Sequence, residues 1–528
     1  MHSAVLPTRG SHEKHRCYFS LGRDDGVGRR PQLGRLVLME VGPGFDFGRG
    51  ASIVALAARL WAGVTFWSVR GKQVLHIVTR LLWVLVLVAA PLTGCRGDEG
   101  PASAGGDGGA GGRGGAGGAG GAGQCADDED CDDADPCTDD VCGETGTCES
   151  PPSADGTACP DGTCVVGLCE PVESAFPCTE QGLLDAVAQG GGPYGFSCDG
   201  PQTVTTSMEL ILAADVILDG LGKLMVDGGG QHRLFSVRDG ATVELRRLAL
   251  TGGLASEGNG GAIVSSGTLT IAESTVSGNV ASISGGGIAN FGEMTIANSA
   301  ISGNNSAVDG GGVLNTGMLM VVRSTISDNT TAAGNNGGGL MNTGSATVTS
   351  STISGNDAAG DGGGITNSNV LMLVNSTVSG NDAAGTGGGI LNNSVITTIT
   401  SCTIAENTAT FGGGIGNGGV VMMISNTLLA GSCSGTPLNS AGYNAESAGD
   451  TCGFDEPTDL VDVSSSSLAL GPLSDNGGPT MTHALLPGSV AIDTIPALIC
   501  EVAEDQRGEP RPETGGTMCD VGAFEVQP

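Results

Sequence analysis

Two aspartates at one position of neighbouring sequence repeats are the residues best placed to do chemistry. Asp357 and Asp382 each follow an asparagine in an Asn-Asp-Ala-Ala-Gly sequence, 25 residues apart, and Asp361 lies close by. If the repeats stack as strands about 4.8 Å apart, the two carboxylates lie roughly 5 Å from each other. Such a pair suits a glycosidase, and carboxylates also bind Ca²⁺. Asp309 occupies a comparable turn and is a further Ca²⁺ candidate.

The same aspartates have a simpler interpretation, because Asp is an ordinary residue of tight turns. A uronic-acid lyase also needs a basic side chain, and a stacked sugar needs an aromatic one. From Gly252 to Gly431 the sole cation is Arg323, and this stretch has no His, Tyr or Trp. We therefore expect no catalytic residue, with catalysis by these aspartates as the alternative. We also expect no cofactor, with Ca²⁺ as the alternative.

A second cluster combines arginines with a histidine and an aspartate. Its members are Asp227, His232, Arg233, Arg238, Arg246 and Arg247. Guanidinium groups bind carboxylates through paired hydrogen bonds, so the cluster could hold an anionic glycan. It could equally neutralise the nearby Asp215, Asp219 and Asp239, and we expect this second role.

The elements that position these residues are repeats. Seven units, spaced by 25 residues and once by 27, each carry a Gly-rich triplet followed by an aliphatic residue. These aliphatic residues are Ile263, Ile288, Val313, Leu340, Ile365, Ile390 and Ile415. Within a unit, apolar residues alternate with polar ones, which is the period of a strand. Units of fixed period bury their apolar faces against their neighbours.

The predicted fold class is therefore all-β. We predict a right-handed, single-stranded parallel β-helix of the pectin-lyase-like kind, with about ten rungs and three short strands in each rung. A small disulfide-rich module is expected before it.

Two columns of asparagine accompany the aliphatic ones. The first is Asn290, Asn315, Asn342, Asn367, Asn392 and Asn417, and the second is Asn279, Asn304, Asn329, Asn356, Asn381 and Asn407. Asn tolerates the left-handed conformation of a tight corner, and its amide can bond to the Asn above and below. Ligand binding is the alternative, but a ligand site would be local. Because nearly every rung has both residues, we predict structural ladders.

The first part of the chain has the composition of an export signal. Residues 1–94 hold more than half of the Lys and Arg, and the apolar run Leu81–Leu92 is too short to span a bilayer. The sequence Leu-Thr-Gly-Cys at 92–95 resembles a bacterial lipobox, which implies a lipid on the sulfur of Cys95. The alternative is an ordinary cleaved secretion signal. Because signal peptides are short, we expect translation to begin near Val69.

Cysteines become dense after a linker rich in Gly and Ala. The eight are Cys125, Cys131, Cys137, Cys142, Cys148, Cys159, Cys164 and Cys169. An even number in an exported segment predicts a module with four disulfides, whose connectivity the spacing does not determine. A zinc module on the last three is the alternative. The segment resembles the Cys-rich modules of myxobacterial surface proteins.

Further cysteines flank and interrupt the repeats. The sequence of residues 178–187 predicts a short amphipathic helix. A disulfide from Cys178 to Cys198 would hold this helix over the open end of the rod. Cys433 and Cys452 bracket one loop, and Cys500 and Cys519 another, which makes all four disulfide candidates. Cys402 falls within a repeat and is expected to be a buried thiol.

The C-terminal segment carries the most specific motifs. They are Leu470-Gly-Pro-Leu-Ser-Asp-Asn-Gly-Gly-Pro, Asp505-Gln-Arg-Gly and Asp520-Val-Gly-Ala-Phe-Glu525. They resemble the choice-of-anchor Q family of bacterial surface β-helix proteins, and the repeats resemble those of polymorphic outer-membrane proteins. The resemblance spans roughly residues 175–526. It implies an exported, tethered protein. His483, Arg507 and Arg511 lie in these motifs, where we expect Arg–carboxylate bonds that hold a cap.

The predicted organisation has six parts. They are 1–94 (upstream segment and signal peptide), 95–124 (lipidated Cys and linker), 125–170 (Cys-rich module), 171–255 (N-terminal cap and first rungs), 256–431 (seven-repeat β-helix) and 432–528 (C-terminal cap). The formal net charge of −34 argues against nucleic acid as a partner.

We expect a monomer, exported and lipid-anchored at the outer membrane or cell surface. Its role would be adhesion, envelope structure or glycan binding, with a glycan or a surface protein as partner and without catalysis. The alternatives are a polysaccharide-degrading lyase or hydrolase and a passive scaffold stabilised by Ca²⁺.

Overall fold

The computed structural model describes residues 174–528, apart from residues 395 and 448, and five short strands upstream. Those strands form an antiparallel pair, Val141–Cys142 with Cys148–Glu149, and a three-stranded antiparallel sheet of Ala158–Cys159, Gly162–Val165 and Leu168–Pro171. The signal segment, Cys95, the linker and the side chains of the eight clustered cysteines lie outside the described residues.

Among the described residues, no helix has both the length and the apolarity to cross a membrane.

Residues 174–463 coil into a parallel β-helix of about ten rungs, which confirms the predicted fold class. Equivalent residues of successive units pair in parallel, as Ile288 does with Val313 and Val313 with Leu340. Each rung of the repeat region has four short strands rather than the three predicted. The fourth has two residues in most rungs and points Ala281, Ser306 or Thr331 inward. Small residues of this kind give no apolar signal in the sequence.

We number the strand columns sheet 1 to sheet 4 in their order along a rung. Sheet 1 consists of Leu210–Leu212, Phe235–Val237, Ile263–Ser265, Ile288–Asn290, Val313–Asn315, Leu340–Asn342, Ile365–Asn367, Ile390–Asn392, Ile415–Asn417 and Cys433–Gly435. Sheet 2 consists of Thr268–Ala272, Glu293–Ala297, Met318–Val322, Ser345–Thr349, Val370–Val374, Ile396–Thr400, Met422–Ser425 and Asn439–Ser440. Sheet 3 consists of Gln202–Thr205, Thr275–Ser277, Ala300–Ser302, Thr325–Ser327, Thr352–Ser354, Thr377–Ser379, Thr403–Ala405, Leu428–Ala430, Ala445–Ser447 and Leu460–Val463. Sheet 4 consists of Leu254–Ala255, Val280–Ala281, Asn305–Ser306, Thr330–Thr331, Asp357–Ala358, Asp382–Thr386 and Thr408–Phe411.

Two long strands, Val216–Asp227 and Thr242–Thr251, run through both sheet 2 and sheet 3. The strands Ser174–Pro177 and Gly191–Ser197 extend this surface at the N-terminal end.

Aliphatic columns from sheets 1, 2 and 3 fill the interior of the rod. The anchors of sheet 1, such as Ile288 and Ile365, have no exposed surface, and neither do Ile271 and Ile296 of sheet 2 or Ile301 of sheet 3. Each fully buried side chain of this size contributes about 1.5–3 kcal/mol relative to an exposed one. The core is therefore one continuous column without aromatic residues in the repeat region.

Both predicted asparagine columns form hydrogen-bonded ladders. In the first, the side-chain amide of Asn290 donates to the Oδ1 of Asn315 at 2.8 Å, and Asn342 donates to Asn367 at 2.7 Å. In the second, neighbouring side chains are joined at 2.9 Å from Asn279 to Asn407. The same amides also donate to backbone carbonyls at the corners, which satisfies groups that the turns would leave buried and unpaired.

A third ladder, which the sequence analysis missed, lines the corner between sheets 2 and 3. Its residues are Ser274, Ser299, Ser324, Ser351 and Ser376, all buried, and each backbone N–H except the last donates to the next hydroxyl at 3.0–3.2 Å. Each of these serines follows a residue with φ near +50°, such as Asn298 or Arg323. Serine is usually a surface residue, so it does not suggest a buried column. Its recurrence at the repeat spacing could nevertheless have predicted this ladder.

A helix covers the N-terminal end of the rod, as predicted. α1 (Glu180–Gln189) begins after Thr179, whose hydroxyl accepts the N–H of Gly182 at 3.1 Å. Leu183 and Ala186 are fully buried against the first strands. A disulfide joins Cys178 to Cys198 and ties the helix to the rod.

The C-terminal part, predicted as a cap over 432–528, is not confined to the end of the rod. Residues 433–463 continue the rungs, and a disulfide joins Cys433 to Cys452. Residues 464–528, the lateral segment, fold back along the side of sheet 3. Their elements are α2 (Ser465–Leu468), the antiparallel pairs Leu470–Ser474 with Thr482–Leu485 and Ile495–Pro496 with Met518–Cys519, and the 3₁₀ turn Ala497–Ile499. A disulfide from Cys500 to Cys519 closes it.

Candidate functional site

The aspartates with predicted catalytic or Ca²⁺ roles lie in the turns around sheet 4. Asp357 and Asp382 pair directly in register, as the repeat spacing predicts, and both are exposed. The carboxylate of Asp382 accepts a hydrogen bond from the hydroxyl of Thr408 in the next rung. The two carboxylates therefore share a position on the surface of the rod.

Asp361 and Asp309 belong to a different column, immediately before the Gly-rich triplets. The Oδ1 of Asp309 accepts the N–H of Asn336 at 2.8 Å, and the Oδ1 of Asp361 accepts the N–H of Thr386 at 2.7 Å. Asn336 in turn accepts the N–H of Asp361 at 2.8 Å. These side chains bond to the backbone of the next rung, which is the structural role that Asp and Asn commonly have in turns. Within the described part of the chain, no group of three or more His, Cys, Asp or Glu residues is arranged to hold a metal ion.

The basic cluster on the first rungs is largely engaged in ion pairs. Arg247 forms a buried pair with Asp219, which is one of the partners that we expected. Arg233 pairs with Glu209 at 2.8 Å, and Arg246 pairs with its neighbour Glu244 at 2.6 Å. The other predicted partners, Asp215 and Asp239, do not take part in these pairs. Glu244 lies on the same strand as Arg246, two residues before it, and Glu209 immediately precedes the strand Leu210–Leu212.

Of the remaining members, His232 and Asp227 are engaged with the backbone, whereas Arg238 is exposed. The ring nitrogens of His232 lie 2.8 Å from the carbonyl of Arg233 and 2.9 Å from that of Thr206. The carboxylate of Asp227 accepts the N–H of Gly229 at 2.8 Å. These contacts stabilise the turn at the edge of the first rungs, so the cluster is mainly structural.

The most unusual surface is the outer face of sheet 2 over four rungs, which we call the sheet 2 face. Its outward residues are Met318, Met320, Val322, Ser345, Thr347, Thr349, Val370, Met372, Val374, Ile396, Thr398 and Thr400. None is charged, although the chain has 56 Asp and Glu. Met318, Met320 and Met372 are 44%, 48% and 38% exposed. The strip therefore presents apolar and hydroxyl-bearing side chains without a charge.

The lateral segment contains the three residues singled out by the C-terminal motifs. Arg511 is buried and its Nε donates to the Oε2 of Glu525 at 3.0 Å. Arg507 donates to Asp505 at 2.8 Å, and its guanidinium lies 3.7 Å from the centre of the Phe524 ring. These are the Arg–carboxylate bonds expected from the sequence. They hold the segment in shape against the side of the rod.

Burial dominates the electrostatics of this cluster. It raises the pKa of Glu525 to about 7, although Arg511 and the N–H of Asp520 favour the ionised form. Burial also raises the pKa of Asp520. Carboxylates held in this way make the lateral segment sensitive to the loss of its arginines.

His483 joins the lateral segment to the rod. Its Nε2 lies 2.8 Å from the hydroxyl of Ser379 in sheet 3, and its Nδ1 lies 2.7 Å from the carbonyl of Gly471. The carbonyl requires a proton on Nδ1, so Nε2 accepts from Ser379 in the neutral ring. The imidazole is almost fully buried. The serine and histidine are thus a structural contact beneath the segment.

We expect acid to loosen this contact. Burial lowers the pKa of His483, while Glu406 acts in the opposite direction. The unfolded chain therefore binds a proton at a pH at which the folded chain does not, and stability falls as pH drops below about 6.5, by at most ~1.4 kcal/mol per pH unit. Urea unfolding of the full-length chain between pH 7 and pH 5 measures this slope. A His483→Gln variant should lose this component, and equal slopes in both proteins would contradict the assignment.

Cys402 occupies the serine-ladder position of its rung. It is free and fully buried, and burial raises the pKa of its thiol to about 12. We expect iodoacetamide at pH 8 to leave Cys402 unmodified in the folded chain and to alkylate it in guanidinium chloride, as read by peptide mass mapping. Cys402→Ser restores the ladder and should change stability by no more than about 0.5 kcal/mol. Alkylation of the folded chain would show that the thiol is accessible.

The fold and these side surfaces define a protein of the parallel β-helix class. No family model matches the chain, and no curated protein matches it. Among solved structures, one titled "Crystal structure of pectate lyase Pel9A" matches with a TM-score of 0.41 and 14% sequence identity, covering 67% of this chain and 97% of that one. That degree of likeness does not bear on activity.

Proposed function

We propose that this chain is a bacterial surface protein of the choice-of-anchor Q type, lipid-anchored through Cys95, whose rod adheres to a neutral polymer without catalysis. The observation that carries this proposal is the sheet 2 face, which stays uncharged over four rungs of a strongly acidic protein. Anionic polymers are repelled by the net charge of −34, so a neutral glycan or an uncharged protein surface is the favoured partner.

The size of the sheet 2 face favours weak, multivalent adhesion. Four strands about 4.8 Å apart, each with three outward residues, cover roughly 15 Å in both directions. That area is well below the ~800 Å² per partner of a stable protein interface. Methionine side chains adapt to irregular surfaces, and many anchored copies on one membrane would add their weak contacts. The expected anchor and flexible linker suit this mode of binding.

The test is a binding screen of the full-length, oxidised chain on immobilised chitin, peptidoglycan, pectin, alginate and host-type glycans, with and without Ca²⁺. We expect binding to a neutral polymer. Lysines at Met320 and Met372 should weaken it at least about tenfold, or ~1.4 kcal/mol, at an unchanged melting temperature. The matched control places lysines at Val280 and Ile283, which are 41% and 43% exposed on another part of the rod.

Two results would contradict the proposal. If the Met320/Met372 variant and the Val280/Ile283 variant bind equally well, the sheet 2 face does not take part in the interaction. Release of new chain ends from any polymer would support the polysaccharide-degrading alternative, and alanines at Asp357 and Asp382 would then be tested for loss of turnover.

A further inference from the structure

The lateral segment covers the C-terminal part of a surface column, here called its covered half, and leaves the longer N-terminal part, its open half, uncovered. The column consists of the first outward residues of sheet 3, together with the corner residues beside them. Its floor runs in register through Thr203, Met225, Ala249, Thr275, Ala300, Thr325, Thr352, Thr377 and Thr403. The lateral segment contacts the floor from Thr352 onward.

In the covered half, rod side chains hold the main chain of the lateral segment. The hydroxyl of Thr352 donates to the carbonyl of Met481 at 2.6 Å. The corner residue Asn375 donates to the carbonyl of Glu504 at 3.1 Å, and the next-but-one corner residue, Asn426, donates to the carbonyl of Ile499 at 3.2 Å. Each acceptor is a backbone carbonyl. The covered half also binds one side chain of the segment, because the hydroxyl of Thr377 donates to the Oε1 of Gln506 at 2.7 Å and the Nε2 of Gln506 donates to the hydroxyl of Thr352 at 2.9 Å. The column therefore recognises extended polypeptide through its main-chain carbonyls and, where two threonines are adjacent, through a glutamine side chain.

In the open half, one corner asparagine and one floor threonine recur without these partners. Asn298 occupies the corner position of Asn375, and Thr325 occupies the floor position of Thr352. Asn375 and Thr352 are buried by the lateral segment, whereas Asn298 is exposed and Thr325 half-buried. Among the described residues, neither open side chain has a hydrogen-bond partner. Arg323, at the next corner, adds an exposed donor.

Two connected cavities follow the open half. One, of about 240 Å³, is lined by Asn298, Arg323 and Thr325 and ends at Pro479 of the lateral segment. The other, of about 300 Å³, extends to Thr203. They meet at Glu273 and Thr275, which line both. We call this continuous channel the corner groove.

We propose that the corner groove binds an extended segment of a partner polypeptide, held through its main-chain carbonyls by Asn298, Thr325 and Arg323. The segment would continue the line of the protein's own lateral segment along the rod. From Thr203 to Thr325 the floor covers five strand steps, about 24 Å, which an extended segment of about seven residues spans. The proposal does not depend on adhesion through the sheet 2 face, because the corner groove lies on the adjoining face.

A peptide from the lateral segment itself is the probe. A fluorescent peptide of residues 497–507, with Ser in place of Cys500, contains the carbonyls of Ile499 and Glu504 that the covered half binds. We expect it to bind the full-length chain saturably in fluorescence anisotropy. The double variant Asn298→Ala, Thr325→Val should weaken binding at least about tenfold. A scrambled peptide should bind comparably, because the acceptors are carbonyls.

The matched control is the pair Asn305→Ala, Thr330→Val, an asparagine and a threonine in the same two rungs but on sheet 4. It should leave peptide binding unchanged. A chitin oligosaccharide of about six sugars is the second probe. Sugar binding that is lost in the Asn298/Thr325 variant, without peptide binding, would overturn the proposal and assign the groove to a glycan. No peptide binding, or binding that the groove variant does not weaken, would also overturn it.

Discussion

Replacing Arg511 by methionine is expected to cost about 3–5 kcal/mol and to release the lateral segment from the rod. The guanidinium is buried and donates to Glu525, to the carbonyl of Gly522 at 2.8 Å, and to the carbonyl of Asp520. Without it, the carboxylate of Glu525 stays buried with one oxygen, Oε1, that already lacks a partner. Hydrogen exchange of residues 464–528, together with urea unfolding, measures the loss.

The double variant Arg511→Met, Glu525→Leu is the matched control. Replacing both partners by apolar groups removes the unpaired charge, so most of the stability should return. The loss in Arg511→Met alone should also shrink at low pH. Because burial already raises the pKa of Glu525 to about 7, protonation below that pH removes the uncompensated charge. A loss below about 1 kcal/mol in Arg511→Met at pH 8 would show that the pair does not hold the segment.

Replacing Asn342 by alanine is expected to cost about 2–5 kcal/mol. Its amide donates to Asn367 at 2.7 Å and to the carbonyl of Val370 at 2.8 Å, and its Oδ1 accepts from Asn315 at 2.8 Å. Alanine leaves several of these buried groups without partners, at about 1–3 kcal/mol each. Urea unfolding of the full-length chain, followed by circular dichroism, measures the effect.

Two further variants make this test specific to the ladder. Asn342→Asp keeps the shape of the side chain but replaces its amide donor by a charged oxygen. That oxygen would face two hydrogen-bond acceptors, the Oδ1 of Asn367 and the carbonyl of Val370. The variant should therefore be at least as destabilising as alanine at pH 7. Asn305→Ala removes an exposed asparagine that also bonds to the next rung, at 2.7 Å to Thr330. It should cost no more than about 0.5 kcal/mol. Similar losses in Asn342→Ala and Asn305→Ala would mean that burial of the ladder contributes little.

Periodicity explains why so much of the rod could be predicted from the sequence. A column such as Ile288, Val313 and Leu340 appears in the sequence as a spacing, and the same spacing places its members in register. The asparagine ladders could be predicted for the same reason. The pairing of Asp357 with Asp382 follows directly from it.

The features that were missed lack an apolar signal, a regular period, or both. The fourth strand points small residues such as Ala281 inward, and the serine ladder is built from a residue type that is usually exposed. The lateral segment occurs once, and its contacts join residues far apart in the chain, as Thr352 and Met481 are, so no spacing reveals them. The sheet 2 face was missed because its methionines and valines vary from rung to rung.

The interchangeable rungs also have a genetic consequence. An unequal recombination that removes or duplicates one 25-residue unit lets both asparagine ladders close again in register, and it moves one end of the rod by about 4.8 Å. The units that begin at Ile263 and Ile288 do not bond to the lateral segment, whereas those from Leu340 onward carry its contact residues. Alleles of this gene should therefore differ in length by multiples of 25 codons, and the differences should fall between Ile263 and Val313.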